Sequence, residues 1–191
     1  MYDALLIIDV QTALMKEHPC NEVEFIQTIK ELIGSFRANH KPILYVQHDG
    51  GIGDELESGS EGWSIYHEIA PLSSDVLVEK KFNSAFRQTT LKEELDKIGA
   101  KSILMCGMQT EYCMDVSVKV AFEHGYHVTM VKNSTTTFDN EFSKGEKLTQ
   151  YFEDKIWNNR YAKVISLEAF EDNMIPIIGD EEVLNENCSL K

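Results

Sequence analysis

The chain has 191 residues, 42% hydrophobic and 26% charged, enough for one full core and ordinary for a globular domain spanning 1–191. Its formal net charge of −14 argues against a nucleic-acid surface, which needs clustered cations to neutralise phosphates, and against anionic membranes. No stretch approaches the ~20 apolar residues of a membrane span, and the four cysteines show no C-x-x-C pair, so reduced thiols in a cytoplasmic setting are expected.

MYDALLIIDVQ has no basic leader and no small-residue cleavage site, so Ala4–Val10 reads as a first strand rather than a signal peptide. Residues Val23–Ala38 carry Phe25, Ile26, Ile29, Leu32, Ile33 and Phe36 at helical spacing. A second strand is expected at Pro42–His48. The following segment, Asp49–Trp63, is rich in Gly, Ser and acids without periodicity and reads as a long loop, a pocket wall or a lid. Asp75–Lys80 reads as a third strand, Leu91–Ile98 as a helix closed by Gly99, and Ser102–Gly107 as a buried fourth strand. A helix follows from Tyr112 to His124, then a strand over Tyr126–Lys132, a helix over Phe142–Trp157 and a sixth strand over Ala162–Leu167. The tail from Glu171 is weakly patterned, and Glu186–Lys191 are expected to be mobile.

Continuous apolar strands separated by helices predict an α/β fold in three layers, a mostly parallel six-stranded Rossmann-like sheet with helices on both faces. In such sheets ligands bind at the carboxyl ends of the strands. Asp9, Lys80 and Cys113 fall there, after strands one, three and four. Cys113 sits where a strand turns into a helix, and free amides and the helix dipole at such a point favour an anion, so its thiol is expected to ionise readily. The chemistry fits the trio: a carboxylate takes the thiol proton, the thiolate attacks a carbonyl, and the ammonium balances charge. Singly, each residue also has a plain structural reading: Cys113 as packing between helix and sheet, Asp9 as a strand-end cap, Lys80 as a solvated lysine.

The segments LLIIDVQ, with Asp9 and Gln11, EKKFNSAF, and LMCGMQTEYCMDVSVKVAFEHGYHVTMVKNSTTTFD resemble the isochorismatase-like cysteine hydrolases, the family that includes nicotinamidases and N-carbamoylsarcosine amidase. The resemblance runs from about Leu5 to Asp139. It implies an Asp–Lys–Cys triad at Asp9, Lys80 and Cys113, with adjacent Lys81 the poorer choice for the lysine. It also implies a cis peptide at Met108–Gln109, with the Gln109 and Cys113 N–H groups forming an oxyanion hole. Gln11, His48, Trp63 and Tyr112 are candidate substrate contacts. The nicotinamidase metal motif, Asp-x-His, is broken here because Val46 stands two before His48, so neither metal nor cofactor is expected. The activity implied is C–N hydrolysis of a small amide, imide or carbamoyl compound through a thioester. The alternatives are hydrolysis of a vinyl ether, as by isochorismatases, or a non-catalytic binding module. The expected partner is a small-molecule substrate, and by resemblance the chain should form a homodimer or homotetramer.

Overall fold

The structure, a computed structural model, describes residues 2–174, so the expectation for Glu186–Lys191 lies outside the described residues. Its elements in chain order are β1 (Ala4–Ile8), α1 (Thr12–Lys16), α2 (Glu22–Ala38), β2 (Ile43–His48), β3 (Val76–Lys80), α3 (Leu91–Lys97), β4 (Ser102–Met108), α4 (Asp115–Glu123), β5 (His127–Val131), β6 (Thr135–Thr136), α5 (Gly145–Tyr151), β7 (Lys163–Ile165) and α6 (Leu167–Met174). The strands run parallel in the order β3-β2-β1-β4-β5-β7, and the short β6 pairs with the end of β4. The six predicted strands are therefore joined by a seventh, two residues long, whose Thr-Thr sequence carries no apolar run to announce it. Helices α1 and α6 lie outside the predicted elements; α1, at five residues, is too short to show a full apolar stripe.

Every residue of β1 is buried, as expected for a central parallel strand covered on both faces. Leu5 and Ile7 join a core with Phe25, Ile29, Leu32 and Phe36 of α2 and Phe170 of α6. Ala4, Leu6 and Ile8 face the opposite core, with Leu91 and Leu95 of α3, Val118 and Ala121 of α4, and Trp157. The alternation along one strand thus builds both outer layers. Stacked rings of Tyr2, Phe36 and Phe170, with centroids 5.9–6.4 Å apart, fasten α6 to α2. Among the described residues no helix is long and apolar enough to cross a membrane.

Two predicted helices begin or end differently from their apolar pattern. The helix after β4 opens as a π-helical turn, Thr110–Met114, before α4, and the helix expected over Phe142–Trp157 is α5 followed by a π-helical segment, Phe152–Trp157. Such turns recur at functional sites, and no apolar period signals them. The second one buries Glu153. Its Oε1 is enclosed without a hydrogen-bond partner among the described residues. Burial raises the Glu153 carboxyl to about 7, against a hydrogen bond from the Asn133 backbone and the charge of Lys132. An acid whose folded pKa is raised supports the fold when protonated, and that contribution disappears as pH rises toward 7. Glu153→Gln is therefore expected to be more stable than the parent at pH 8, by on the order of 2 kcal/mol in urea unfolding, with the gap closing toward pH 5.

Candidate active site

Strand order reverses between β1 and β4, which both start from the sheet centre and lead outward in opposite directions. That switch point opens a crevice at the strand carboxyl ends, and the polar residues converge there. Asp9 follows β1 directly, with φ 56°, a left-handed conformation that Asp tolerates better than most residues. Its N–H donates to the Val46 carbonyl at 2.9 Å, so the turn is tied to β2. Gly107, next to last in β4, has φ 132°, and a Cβ there would overlap the Ile8 backbone. Only glycine lets the two central strands approach so closely just before Asp9 and Cys113 leave the sheet. The Met108–Gln109 peptide is cis.

Lys80 ends β3, two strands from β1, and reaches across the end of β2. It is in register with His48 and shares the inward face with Val78. The strand alternation therefore turns Lys80 inward and Lys81 out, where Lys81 pairs with Asp49 at 3.3 Å. Lys80, at 1% exposure, is among the most buried side chains of the described residues. Its Nζ lies 2.7 Å from Asp9 Oδ2, 3.1 Å from His48 Nδ1 and 3.3 Å from Cys113 Sγ. Cys113 is half-buried in the π-helical turn and also touches Asn83 Oδ1 at 3.9 Å. A groove of about 690 Å³ is lined by Phe82, Asn83, Phe86 and Arg87, by Val116 and Val120 of α4 and by His124 just after it; Asn83 is the lining residue that also touches the Cys113 sulfur, and Asp9, Lys80 and Cys113 do not line it.

The electrostatics correct one expectation. Burial, joined by the nearby Asp9 charge, pushes the Cys113 thiol up to about 12, and the pull of Lys80 downward is weaker. That direction runs against the easily ionised thiol expected at the strand-to-helix junction, because the π-helical turn partly encloses the sulfur and sets it beside a carboxylate. Burial also raises Asp9 above the ordinary carboxyl range, while the charge and hydrogen bond of Lys80 pull it back. Asp9 Oδ1 is buried with no hydrogen-bond partner among the described residues, a lone pair in position to receive a proton.

Gln11 is the second correction. It is fully buried, and its Nε2 donates to the carbonyls of His48 (3.0 Å) and Trp63 (2.9 Å) while its Oε1 accepts from the His48 N–H (2.8 Å). With both donors committed it holds the end of β2 to the Asp49–Trp63 loop and has none left for a substrate. Trp63 is anchored through that carbonyl, which also accepts from Gln47 Nε2 at 3.1 Å, and its indole N–H is enclosed without a partner among the described residues. Tyr112, one residue before Cys113, is exposed at 54%. His48 meets Lys80, a contact that sequence spacing gave no means to see. Asn83, beside the sulfur, was missed as well, since an asparagine between a phenylalanine and a serine carries no signal of its own. Among the described residues, no group of three or more His, Cys, Asp or Glu side chains is placed to hold a metal ion.

The chain belongs to the isochorismatase family, whose sequence profile, the Isochorismatase domain, matches residues 3–169. The chain is 31% identical over 179 residues to the uncharacterised isochorismatase family protein YddQ of Bacillus subtilis (strain 168), covering 89% of this chain and 99% of the relative. It is 28% identical over 163 residues to Nicotinamidase 3 of Arabidopsis thaliana, covering 78% and 80% of the two chains. A crystal structure of an isochorismatase family protein superposes with a TM-score of 0.80 at 28% identity, covering 85% of this chain and 97% of that one.

The Gln11 clasp makes a direct prediction. Gln11→Leu keeps the volume but leaves the His48 N–H and carbonyl unpaired and the Trp63 carbonyl with Gln47 as its one remaining donor, a loss of about 2–4 kcal/mol. Limited proteolysis of the variant should cut first within Asp49–Trp63, and an unchanged digestion pattern would contradict the clasp.

Proposed function

We propose that this chain is a cysteine hydrolase that cleaves the C–N bond of a small amide, imide or carbamoyl compound without a metal. One observation carries the reading: Lys80 Nζ stands 3.3 Å from Cys113 Sγ and 2.7 Å from Asp9 Oδ2. A hydrolase with a neutral resting thiol needs a base beside it, and a buried carboxyl of raised pKa is such a base. The Cys113 proton passes to Asp9 as Sγ bonds to the substrate carbonyl carbon, and the negative charge moves to the carbonyl oxygen. The backbone N–H groups of Gln109 and Cys113 are assigned to that oxygen. Asp9 then gives the proton to the departing nitrogen, the C–N bond breaks, and an acyl thioester remains on Cys113. Asp9 next takes a proton from water as its oxygen attacks the thioester carbon; the C–S bond then breaks, Asp9 returns the proton to Sγ, and the carboxylic acid product leaves.

We assign the part of the substrate beyond the reacting carbonyl to the groove that Asn83 lines, because Asn83 Oδ1 also touches the Cys113 sulfur at 3.9 Å. Likeness to a protein named a nicotinamidase supports the amide reading over a vinyl-ether one. Among the described residues Cys20, Cys106 and Cys113 form no disulfide, which supports a reducing, cytoplasm-like location.

Cys113→Ala tests the reading. The variant should fold normally by circular dichroism and release no ammonia from any amide the parent hydrolyses, a loss of at least about 10³-fold. Retained turnover, on amide or vinyl-ether substrates alike, would remove the thiol from the mechanism. The resting protonation state is tested separately with iodoacetamide. Labelling of Cys113 in the free protein should accelerate with pH up to about 11 without a plateau near neutrality, and should far outpace that of Cys106, which is fully buried.

A further inference from the structure

The ammonium of Lys80 has three N–H groups, and the structure supplies three acceptors: Asp9 Oδ2 at 2.7 Å, His48 Nδ1 at 3.1 Å and Cys113 Sγ at 3.3 Å. An ammonium only donates, so His48 Nδ1 must present a lone pair and the ring hydrogen must sit on Nε2. The Gln11 clasp grips both the N–H and the carbonyl of His48, which fixes the backbone that carries the ring. His48 is also paired in register with Lys80 on adjacent parallel strands, so the two side chains leave the sheet side by side.

We propose that His48 is a positioning residue for the Cys113 chemistry, acting as a neutral Nδ1 acceptor that holds the Lys80 ammonium against the sulfur. The inference rests on the cysteine-hydrolase reading for its kinetic consequences only; the ring state it requires is independent of any substrate. Without this acceptor one N–H of a buried ammonium is unpaired, and the ammonium is free to collapse onto Asp9 and leave the sulfur. A protonated His48 would fail in the same way, placing a second cation beside the first. Lys80 from β3 contacts the ring, and the charges of Asp9 after β1 and of Asp49 and Asp54 from the loop after β2 also act on it. Burial lowers the His48 pKa, the Lys80 charge lowers it further, and the three carboxylates oppose them. The acceptor is therefore present at neutral pH and is lost only on acidification below the ordinary histidine range.

Three substitutions and one spectrum decide the matter. Long-range ¹H–¹⁵N spectra of the full chain, with the His48 signals identified by their loss in His48→Asn, should show the neutral Nε2–H tautomer at pH 7.5. A protonated ring or the Nδ1–H tautomer overturns the proposal whether or not the chain is an amidase. Iodoacetamide labelling of Cys113 at pH 8 should slow about threefold or more in His48→Ala and return toward the parent rate in His48→Asn, whose Oδ1 offers a non-titrating acceptor at the same place. With an amide that the parent hydrolyses, His48→Ala and His48→Phe should lower kcat about tenfold or more with KM within about twofold, and His48→Asn should restore most of it. His48→Asn should also remove one ionisation from the acid limb of the pH profile, leaving that of Asp9. A raised KM with unchanged kcat would make His48 a substrate contact and overturn the proposal, as would a failure of His48→Asn to restore a rate that His48→Ala loses. Absence of any amide turnover by the parent would count against the hydrolase reading alone, since the spectrum and the labelling rates still decide the role of His48.

Discussion

The site is organised by one buried cation. Lys80 is drawn from the edge of the sheet across the end of β2, and a lysine ammonium at 1% exposure is sustained only because a carboxylate, an imidazole nitrogen and a sulfur surround it. Each of those partners comes from a different strand end. The strand register, the left-handed turn at Asp9 and the close approach at Gly107 all serve to bring them to one point. Remove the cation, and the Asp9 carboxylate beside it becomes a buried charge with no counterpart.

This arrangement divides the electrostatic work in an instructive way. Burial acts on acid and thiol alike, raising both, and the ammonium opposes burial at both. The balance favours an uncharged sulfur next to an ion pair, and in the proposed reaction the proton is moved during attack rather than lost beforehand. A sulfur of that kind is spared from casual oxidation and alkylation, because the thiolate is the reactive form.

The sequence carried the layered sheet clearly, because ALLII and SILMCGM are continuous apolar strands that only a doubly covered sheet buries. It also carried the strand-end placement of Asp9, Lys80 and Cys113, since that follows from the βα alternation alone. What it did not carry has physical causes. The ionisation state of Cys113 depends on enclosure, which no spacing encodes. Gln11 and His48 have roles set by who stands opposite them across the sheet, some 37 residues apart in the chain. The π-helical turns have no apolar period, and β6 is two residues of threonine held by the end of β4.

The position of β3 has a wider consequence. Among the described residues it is a terminal strand of the sheet, with a neighbour on one side only, and it brings the central lysine. Outermost strands detach at a lower free energy than central ones. Gentle heating or mild denaturant should therefore disconnect the ammonium while most of the backbone remains native, so that chemical competence fades before the fold itself melts.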